Sequence, residues 1–210
     1  MMKRPAFHID LSTCIGCKTC MIACKDKNDL PDGIKWRRVS EYAGGSWKKA
    51  TDGTFTQDVF AYYASVGCNH CEDPACLKVC PTGAITKNAS GIVVIDQQKC
   101  NGCKNCVMAC PYQAPQFNAA LKKASKCDFC QDLLADGKPP ACVSACVTRS
   151  LSFGEYDDLK KRFGEAAQMA VHVAPLPDPS ITRPNLLVKP GRTAKPIGSK
   201  AGAVVNPEEI

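Results

Sequence analysis

Apolar residues in this protein come in short runs, and their spacing predicts short elements. Phe7, Ile9 and Leu11 alternate with other residues, the period of a half-buried strand. β-prone stretches follow at 59–66, 92–95 and 151–153. Pro81-Thr82-Gly83 turns the chain into Ala84-Ile85, and 88–91 is a second turn signal, so residues 84–95 read as a hairpin. Thr19, Met21, Ile22 and Ala23 suit one short helix, and Val107, Met108 and Ala109 another. Residues 157–164 predict a third: Asp157 or Asp158 can cap it, Leu159 and Phe163 share a face at i, i+4, and Gly164 ends it. From Ala174 onward, Pro175, Pro177, Pro179, Pro184, Pro190, Pro196 and Pro207 space an extended tail that cannot build its own core. Its apolar residues, Ile181, Leu186, Leu187, Val188 and Ile197, are expected to lie on a partner. No apolar run approaches the roughly 18 residues of a membrane span. Met1-Met2-Lys3-Arg4 is followed by Pro5-Ala6-Phe7-His8 and not by an apolar stretch, so no signal peptide is expected.

Sixteen cysteines interrupt this pattern in four blocks of four. They are Cys14, Cys17, Cys20, Cys24; Cys68, Cys71, Cys76, Cys80; Cys100, Cys103, Cys106, Cys110; and Cys127, Cys130, Cys142, Cys146. The blocks form an internal repeat. The first and third follow C-x2-C-x2-C-x3-C, the ligand run of bacterial [4Fe-4S] proteins, in which the fourth Cys serves the other cluster of a pair. Disulfide scaffolds belong to small secreted proteins, and structural zinc favours separated C-x2-C pairs, often with His. Only His8, His70 and His172 are available, and Pro follows Cys80 and Cys110 directly, which suits clusters. Sixteen thiolates at four per cluster give four [4Fe-4S] clusters. His70 lies between Cys68 and Cys71 and is expected beside a cluster, not as a ligand.

Only 80–100 separates the second and third blocks, about the connection of one ferredoxin unit, so these two should form one two-cluster module. Blocks one and four then pair around it, since loop closure grows only logarithmically with length. Pairing one with two and three with four is the alternative. The nested layout with the fourth-Cys swap gives cluster I to Cys14, Cys17, Cys20 and Cys146, and cluster II to Cys24, Cys127, Cys130 and Cys142. Cluster III takes Cys68, Cys71, Cys76 and Cys110, and cluster IV takes Cys80, Cys100, Cys103 and Cys106. The expected fold class is α+β: two ferredoxin-like modules, 1–26 with 120–170 and 59–119, with short strands and helices. An insert at 27–58 and an extended tail at 171–210 complete it. The insert, with Trp36, Arg37, Arg38, Tyr42, Gly44, Gly45 and Trp47, is a natural docking surface, unless Trp36 and Trp47 simply cover the small module. A second insertion, 131–141, lengthens the gap between Cys130 and Cys142.

Composition sharpens this picture. The formal charge of +7 over 210 residues omits the cofactors. A four-thiolate cluster carries roughly −2, so four bring the loaded protein near neutrality. The lysines then balance buried anions, and a nucleic-acid footprint is excluded. Lys18, Lys25, Lys104 and Lys126 adjoin ligands and could raise neighbouring potentials, or simply be solvated. Bulky clusters displace apolar core, so the metal-free protein should fold poorly. No nucleophile constellation, nucleotide fingerprint or P-loop is present, and a fully Cys-ligated cluster offers no open iron. The residues therefore point to electron transfer, with no catalytic residue and bond-breaking left to a partner.

Cys14-Ile15-Gly16-Cys17-Lys18-Thr19-Cys20, the stretch Cys68-Asn69-His70-Cys71-Glu72-Asp73-Pro74-Ala75-Cys76 and Cys80-Pro81-Thr82-Gly83-Ala84 resemble the four-cluster electron-transfer subunits of molybdenum enzymes. Glu41-Tyr42-Ala43-Gly44-Gly45, Phe60-Ala61-Tyr62-Tyr63 and Ala174-Pro175-Leu176-Pro177 look like the iron–sulfur subunits of anaerobic dimethyl sulfoxide reductase in particular. The match spans nearly the whole sequence. The resemblance implies a heterotrimer used in anaerobic respiration. An integral membrane anchor oxidises menaquinol, and a catalytic subunit with a molybdenum bis-molybdopterin guanine dinucleotide site reduces the sulfoxide. By the same analogy, cluster IV faces the anchor and cluster I the catalytic subunit. The protein would sit peripherally at the bacterial cytoplasmic membrane, facing the periplasm by co-export with a catalytic partner that carries a twin-arginine signal. Arg37-Arg38 is internal and is not such a signal. Some relatives replace a third-block Cys and hold [3Fe-4S]; Cys103 is present here. Val147 after Cys146 and Lys25 after Cys24 depart from the usual Pro. Polysulfide, thiosulfate and selenate reductases have similar wiring, so the terminal substrate stays open. A free polyferredoxin and a zinc-stabilised interaction protein are the competing classes.

Overall fold

The computed structural model describes residues 2–164 and 172–210. It is a small mixed α/β structure with few helices and short strands. The strands are β1 Pro5–Asp10, β2 Arg38–Gly44, β3 Trp47–Lys49, β4 Phe55–Gln57, β5 Phe60–Val66, β6 Ile85–Lys87, β7 Val93–Ile95, β8 Gln116–Asn118, β9 Lys123–Ser125, β10 Leu151–Glu155, β11 Leu186–Lys189 and β12 Gly202–Val204. The helices are α1 Thr19–Lys27, α2 Ala75–Lys78, α3 Asn105–Ala109, α4 Gln131–Ala135, α5 Ala141–Ser144 and α6 Tyr156–Phe163. None of the described helices is long and apolar enough to cross a membrane.

Two three-stranded sheets carry the long-range order. In one, β1 pairs antiparallel with β10 and parallel with β11. In the other, β2 lies between β12 and β5, antiparallel to both. The hairpins β3–β4, β6–β7 and β8–β9 complete the strands. The hairpin read from 84–95 is β6–β7, with Ile85 opposite Ile95. Phe7, Ile9, Leu11, Tyr62, Phe129, Leu186 and Val188 share one buried core. Ile85, Val93 and Ala124 form a smaller one with Cys76 and Cys106.

Three expectations need correction. β1 is buried on both faces: α6 covers Ala6 with Leu159, and His8 stacks flat on Phe163 at 3.6 Å. Alternation there marks two different neighbours, and neither face meets water. The α6 cap is Glu155, not Asp157 or Asp158, which lie in the first turn. The Glu155 carboxylate accepts from the backbone N–H groups of Lys3 and Arg4, pinning the N-terminus. The apolar residues of the tail are covered by the protein's own core. Leu186, Leu187 and Val188 are at most 3% exposed because β11 adds to the edge of β1. Prolines forbid an independent core yet permit a strand completed by residues far away in sequence. Ile181 alone of the group stays exposed. The boundary expected at 170–171 lies outside the described residues.

The insert divides in character. Trp36 is half-buried, and its indole N–H donates to Ser125 Oγ at 3.1 Å, tying the segment to the β8–β9 hairpin. Trp47, on β3, is 67% exposed. Gly44 and Gly45 let backbones meet: a Cβ would fall 2.1 Å from the Ala201 carbonyl oxygen at the first and 2.3 Å from that of Asp58 at the second.

Candidate metal centres

Each cysteine block begins with the same backbone device. The residue before the second Cys has positive φ in all four: Gly16 at 68°, His70 at 41°, Gly102 at 75° and Phe129 at 64°. That conformation curls each C-x2-C loop and can bring backbone N–H groups beside its sulfurs. The N–H of Gly16 supports the Cys14 sulfur, and that of Phe129 donates to Cys127 Sγ at 3.4 Å. In blocks one and three a left-handed lysine, Lys18 or Lys104, follows and starts α1 or α3. The third Cys of each run, Cys20 or Cys106, sits in the first turn and is buried.

Cys68, Cys71, Cys76 and Cys110 line a cavity of about 350 Å³ together with Asn69, His70, Tyr112 and Thr182. Cys80, Cys100, Cys103 and Cys106 line a second, of about 310 Å³. Both volumes include space open to solvent; what marks each site is that four cysteines line one cavity. Among the described residues, no three Cys, His, Asp or Glu side chains converge tightly enough to hold one metal ion.

The remaining eight cysteines gather around α1 and α5. Burial pushes the Cys14 thiol up, and the nearby sulfurs of Cys20, Cys146 and Cys17 add to it. Burial lifts Cys24 to about 12, with Cys142 and Cys130 contributing and Arg37 opposing. Cys127 is pushed well above the thiol range by burial, then by Cys24 and Cys68. Burial likewise takes Cys71 and Cys76 to about 12. Such thiols become thiolates only when a cation replaces the proton, as iron does on binding. Cys17 and Cys103 are the exposed members. Thr19 Oγ1 donates to Cys17 Sγ at 3.4 Å and holds its thiol below the usual value.

Buried polar atoms test whether an anionic group fits. Among the described residues, the side chains with buried atoms lacking a protein partner are His8, Arg37, Asn69, His70 and Thr182. Asn69, His70 and Thr182 line the 350 Å³ cavity, and Arg37 lies beside Cys20, Cys24, Cys127 and Cys142. Four of the five thus lie beside cysteines, where an iron–sulfur group would accept from the N–H and O–H donors among them; Asn69 Oδ1 needs a donor instead. His70 is fully buried; its Nδ1 accepts from Val93 N–H at 3.0 Å, and burial holds its pKa well below the usual value.

Five lysines adjoin cysteines in sequence, and they differ; Lys99, beside Cys100, pairs with Asp96 at 3.7 Å. Lys18 pairs with Glu209, and Lys25 donates to the Leu30 and Pro31 carbonyls at 2.7 Å. Lys104 lies over the Phe117 ring at 4.2 Å. Lys126 alone is buried, its ammonium on the carbonyls of Val93 and Cys127. Sequence reasoning gave neither Arg37 nor Asn69 a place at the sulfur sites. A charged pair directly ahead of a strand was the available signal for the first.

Comparison with known proteins agrees with this chemistry. Residues 59–156 match the 4Fe-4S dicluster domain family, and 11–27 match a 4Fe-4S binding domain. The sequence is 49% identical over 210 residues, all of both proteins, to the B subunit of anaerobic dimethyl sulfoxide reductase of Escherichia coli (strain K12). It is 47% identical over 209 residues to the subunit of that name in Haemophilus influenzae, again over the full length of both. It is 38% identical over 194 residues to the B subunit of polysulfide reductase of Wolinella succinogenes, covering 91% of this protein and 97% of that one. With its cysteine loops curled by a shared backbone device, and with likeness from end to end, this protein belongs to the family of iron–sulfur, electron-transferring B subunits of anaerobic dimethyl sulfoxide reductase.

Proposed function

We propose that this protein relays electrons through four [4Fe-4S] clusters, from a quinol-oxidising membrane anchor to a molybdenum bis-molybdopterin guanine dinucleotide subunit. That subunit reduces dimethyl sulfoxide or a related S- or N-oxide, and the three form a heterotrimer. One observation carries the reading. A single cavity is lined by three cysteines of block two and the last of block three, and its neighbour by the last of block two and three of block three. That exchange is the ligand swap of a two-cluster ferredoxin. Pairing of β6 with β7 and packing of α2 on α3 support a module at 59–119. Pairing of β1 with β10 and packing of α1 on α5 support the outer module built from 1–26 and 120–170.

The bound clusters supply one-electron carriers at sites without an open iron. The protein's residues do the rest. Cys14, Cys17, Cys20 and Cys146 hold cluster I; Cys24, Cys127, Cys130 and Cys142 hold cluster II. Cys68, Cys71, Cys76 and Cys110 hold cluster III, and Cys80, Cys100, Cys103 and Cys106 hold cluster IV. Cys68 and Cys127 adjoin each other across the seam between modules, which keeps the second and third sites close. Exposed Cys17 and Cys103 put the first and last sites at the surface, where partners must reach them. Exposed Ile15 and Val147 accompany the former, and Met108 the latter. Localisation at the periplasmic face of the cytoplasmic membrane rests on the family alone. The 38% likeness to a polysulfide reductase B subunit favours a second reading, the same relay serving a different sulfur substrate.

The test is Cys103→Ser in the assembled complex. Electron delivery from quinol should stop, while association with the catalytic subunit persists. Undiminished flux from quinol would refute the assignment.

A further inference from the structure

Arg37 is a cation with an unmet bond in the middle of the protein. It is 3% exposed. Its guanidinium lies over the Phe7 ring at 4.3 Å, and Nη1 donates to Ser65 O and Ser65 Oγ, both at 3.2 Å. Ser65 Oγ is in turn 3.3 Å from Cys20 Sγ. Nη2 is buried without a protein partner. Leaving a guanidinium N–H unpaired in a low-dielectric interior is strongly unfavourable unless an anion faces it. The sulfurs around this charge are those of Cys142, Cys20, Cys127 and Cys24. Arg38, the next residue, points the opposite way and donates to the Tyr112 carbonyl. Successive residues entering a strand face opposite sides. Of the two arginines, Arg37 is therefore the one delivered to the α1–α5 sulfurs, and among the described residues no carboxylate pairs with it.

Resting on the electron-relay reading, we infer that Arg37 is a positioning residue that raises the reduction potential of the centre held by Cys24, Cys127, Cys130 and Cys142. A smaller effect reaches the Cys14, Cys17, Cys20 and Cys146 centre through Cys20. Reduction adds one electron to an already anionic group, and a fixed, unscreened cation favours the reduced form. Arginine suits the task because it keeps its charge at every working pH, so no proton need accompany the electron. The lysines that adjoin ligands in sequence cannot substitute. Lys18 is paired to Glu209, Lys25 and Lys126 are each satisfied by two carbonyls, Lys99 is paired to Asp96, and Lys104 sits on Phe117.

The experiment is a potentiometric titration, followed by electron paramagnetic resonance, of anaerobically isolated protein carrying Arg37→Gln or Arg37→Lys. Iron content is measured alongside. Arg37→Gln should lower one or two potentials so that the reduced-to-oxidised ratio at fixed potential falls tenfold or more, about 59 mV for a one-electron couple. The others should hold, and Arg37→Lys should recover most of the shift. If Arg37→Gln does not load iron while Arg37→Lys does, a requirement for charge is equally met. Potentials unchanged in a loaded Arg37→Gln protein would overturn the inference. So would equal shifts in both variants, or failure of both to load, since each would mark a role in shape alone. A parent protein without iron would instead refute the relay reading itself.

Discussion

The imidazole of His70 stacks on the ring of Phe129, centroids 3.8 Å apart and planes 21° from parallel. Both residues occupy the left-handed position of their C-x2-C loops, where the other two blocks use glycine. A side chain there is strained by about 1–3 kcal/mol, and packing must compensate. Phe129 is fully buried against Phe7 and Phe153 as well, so the compensation is visible. The C-x2-C loops of the second and fourth cysteine blocks are joined through this stack.

Phe129→Gly should relieve the backbone strain and still destabilise the loaded protein. Loss of a buried aromatic outweighs the relief, leaving a net deficit of about 2 kcal/mol. Thermal unfolding monitored by the visible absorbance of the clusters checks this. A midpoint equal to the parent's would mean the stack is dispensable.

Asn185→Ala tests the self-covering tail. Asn185 is wholly buried; its Nδ2 donates to His70 O at 2.7 Å and Glu72 Oε1 at 2.9 Å, and its Oδ1 accepts from Arg4 Nε at 2.8 Å. Removing the amide takes a donor from the buried His70 carbonyl, while Arg4 and Glu72 stay paired with each other, a loss of about 1–3 kcal/mol and a midpoint lowered by several degrees. Iron at the site lined by Asn69 and Thr182 should also become the first to reach a chelator. If iron loss is uniform across sites, the tail is not a clamp on that centre.

Particular residues show what the sequence could and could not disclose. Cysteine spacing is imposed by inorganic geometry, so the iron–sulfur chemistry was legible before any fold was known. The β6–β7 hairpin was legible too, because 88–91 is rich in turn residues. Leu186, Leu187 and Val188 read as strand material, but nothing local says whose sheet they complete; β1 lies some 180 residues away. Arg37 looked like half of a surface pair because charge usually means exposure, and only the three-dimensional anion field reverses that rule. The role of Glu155 was hidden for a similar reason: its partners, Lys3 and Arg4, are distant in sequence.

His8 gives the fold a pH dependence of definite sign. Burial lowers its pKa from 6.5 to about 4; Asp10 opposes this, and Lys189 and Arg162 reinforce it. The neutral ring suits its stack on Phe163. Stability from this site is complete above pH 6.5 and drains away as pH falls through 4, on the order of 2–3 kcal/mol. Relative to the parent, His8→Gln should show a flatter stability profile across that window. Parallel profiles would rule out His8 as the source.

The most direct measurement is iron and acid-labile sulfide per polypeptide in protein isolated without oxygen. The account predicts sixteen irons, matched by sixteen sulfides, and four reducible paramagnetic centres, one for every four of the sixteen cysteines. Zinc in place of iron, or iron for only two centres with half the thiols free to alkylation, would contradict it.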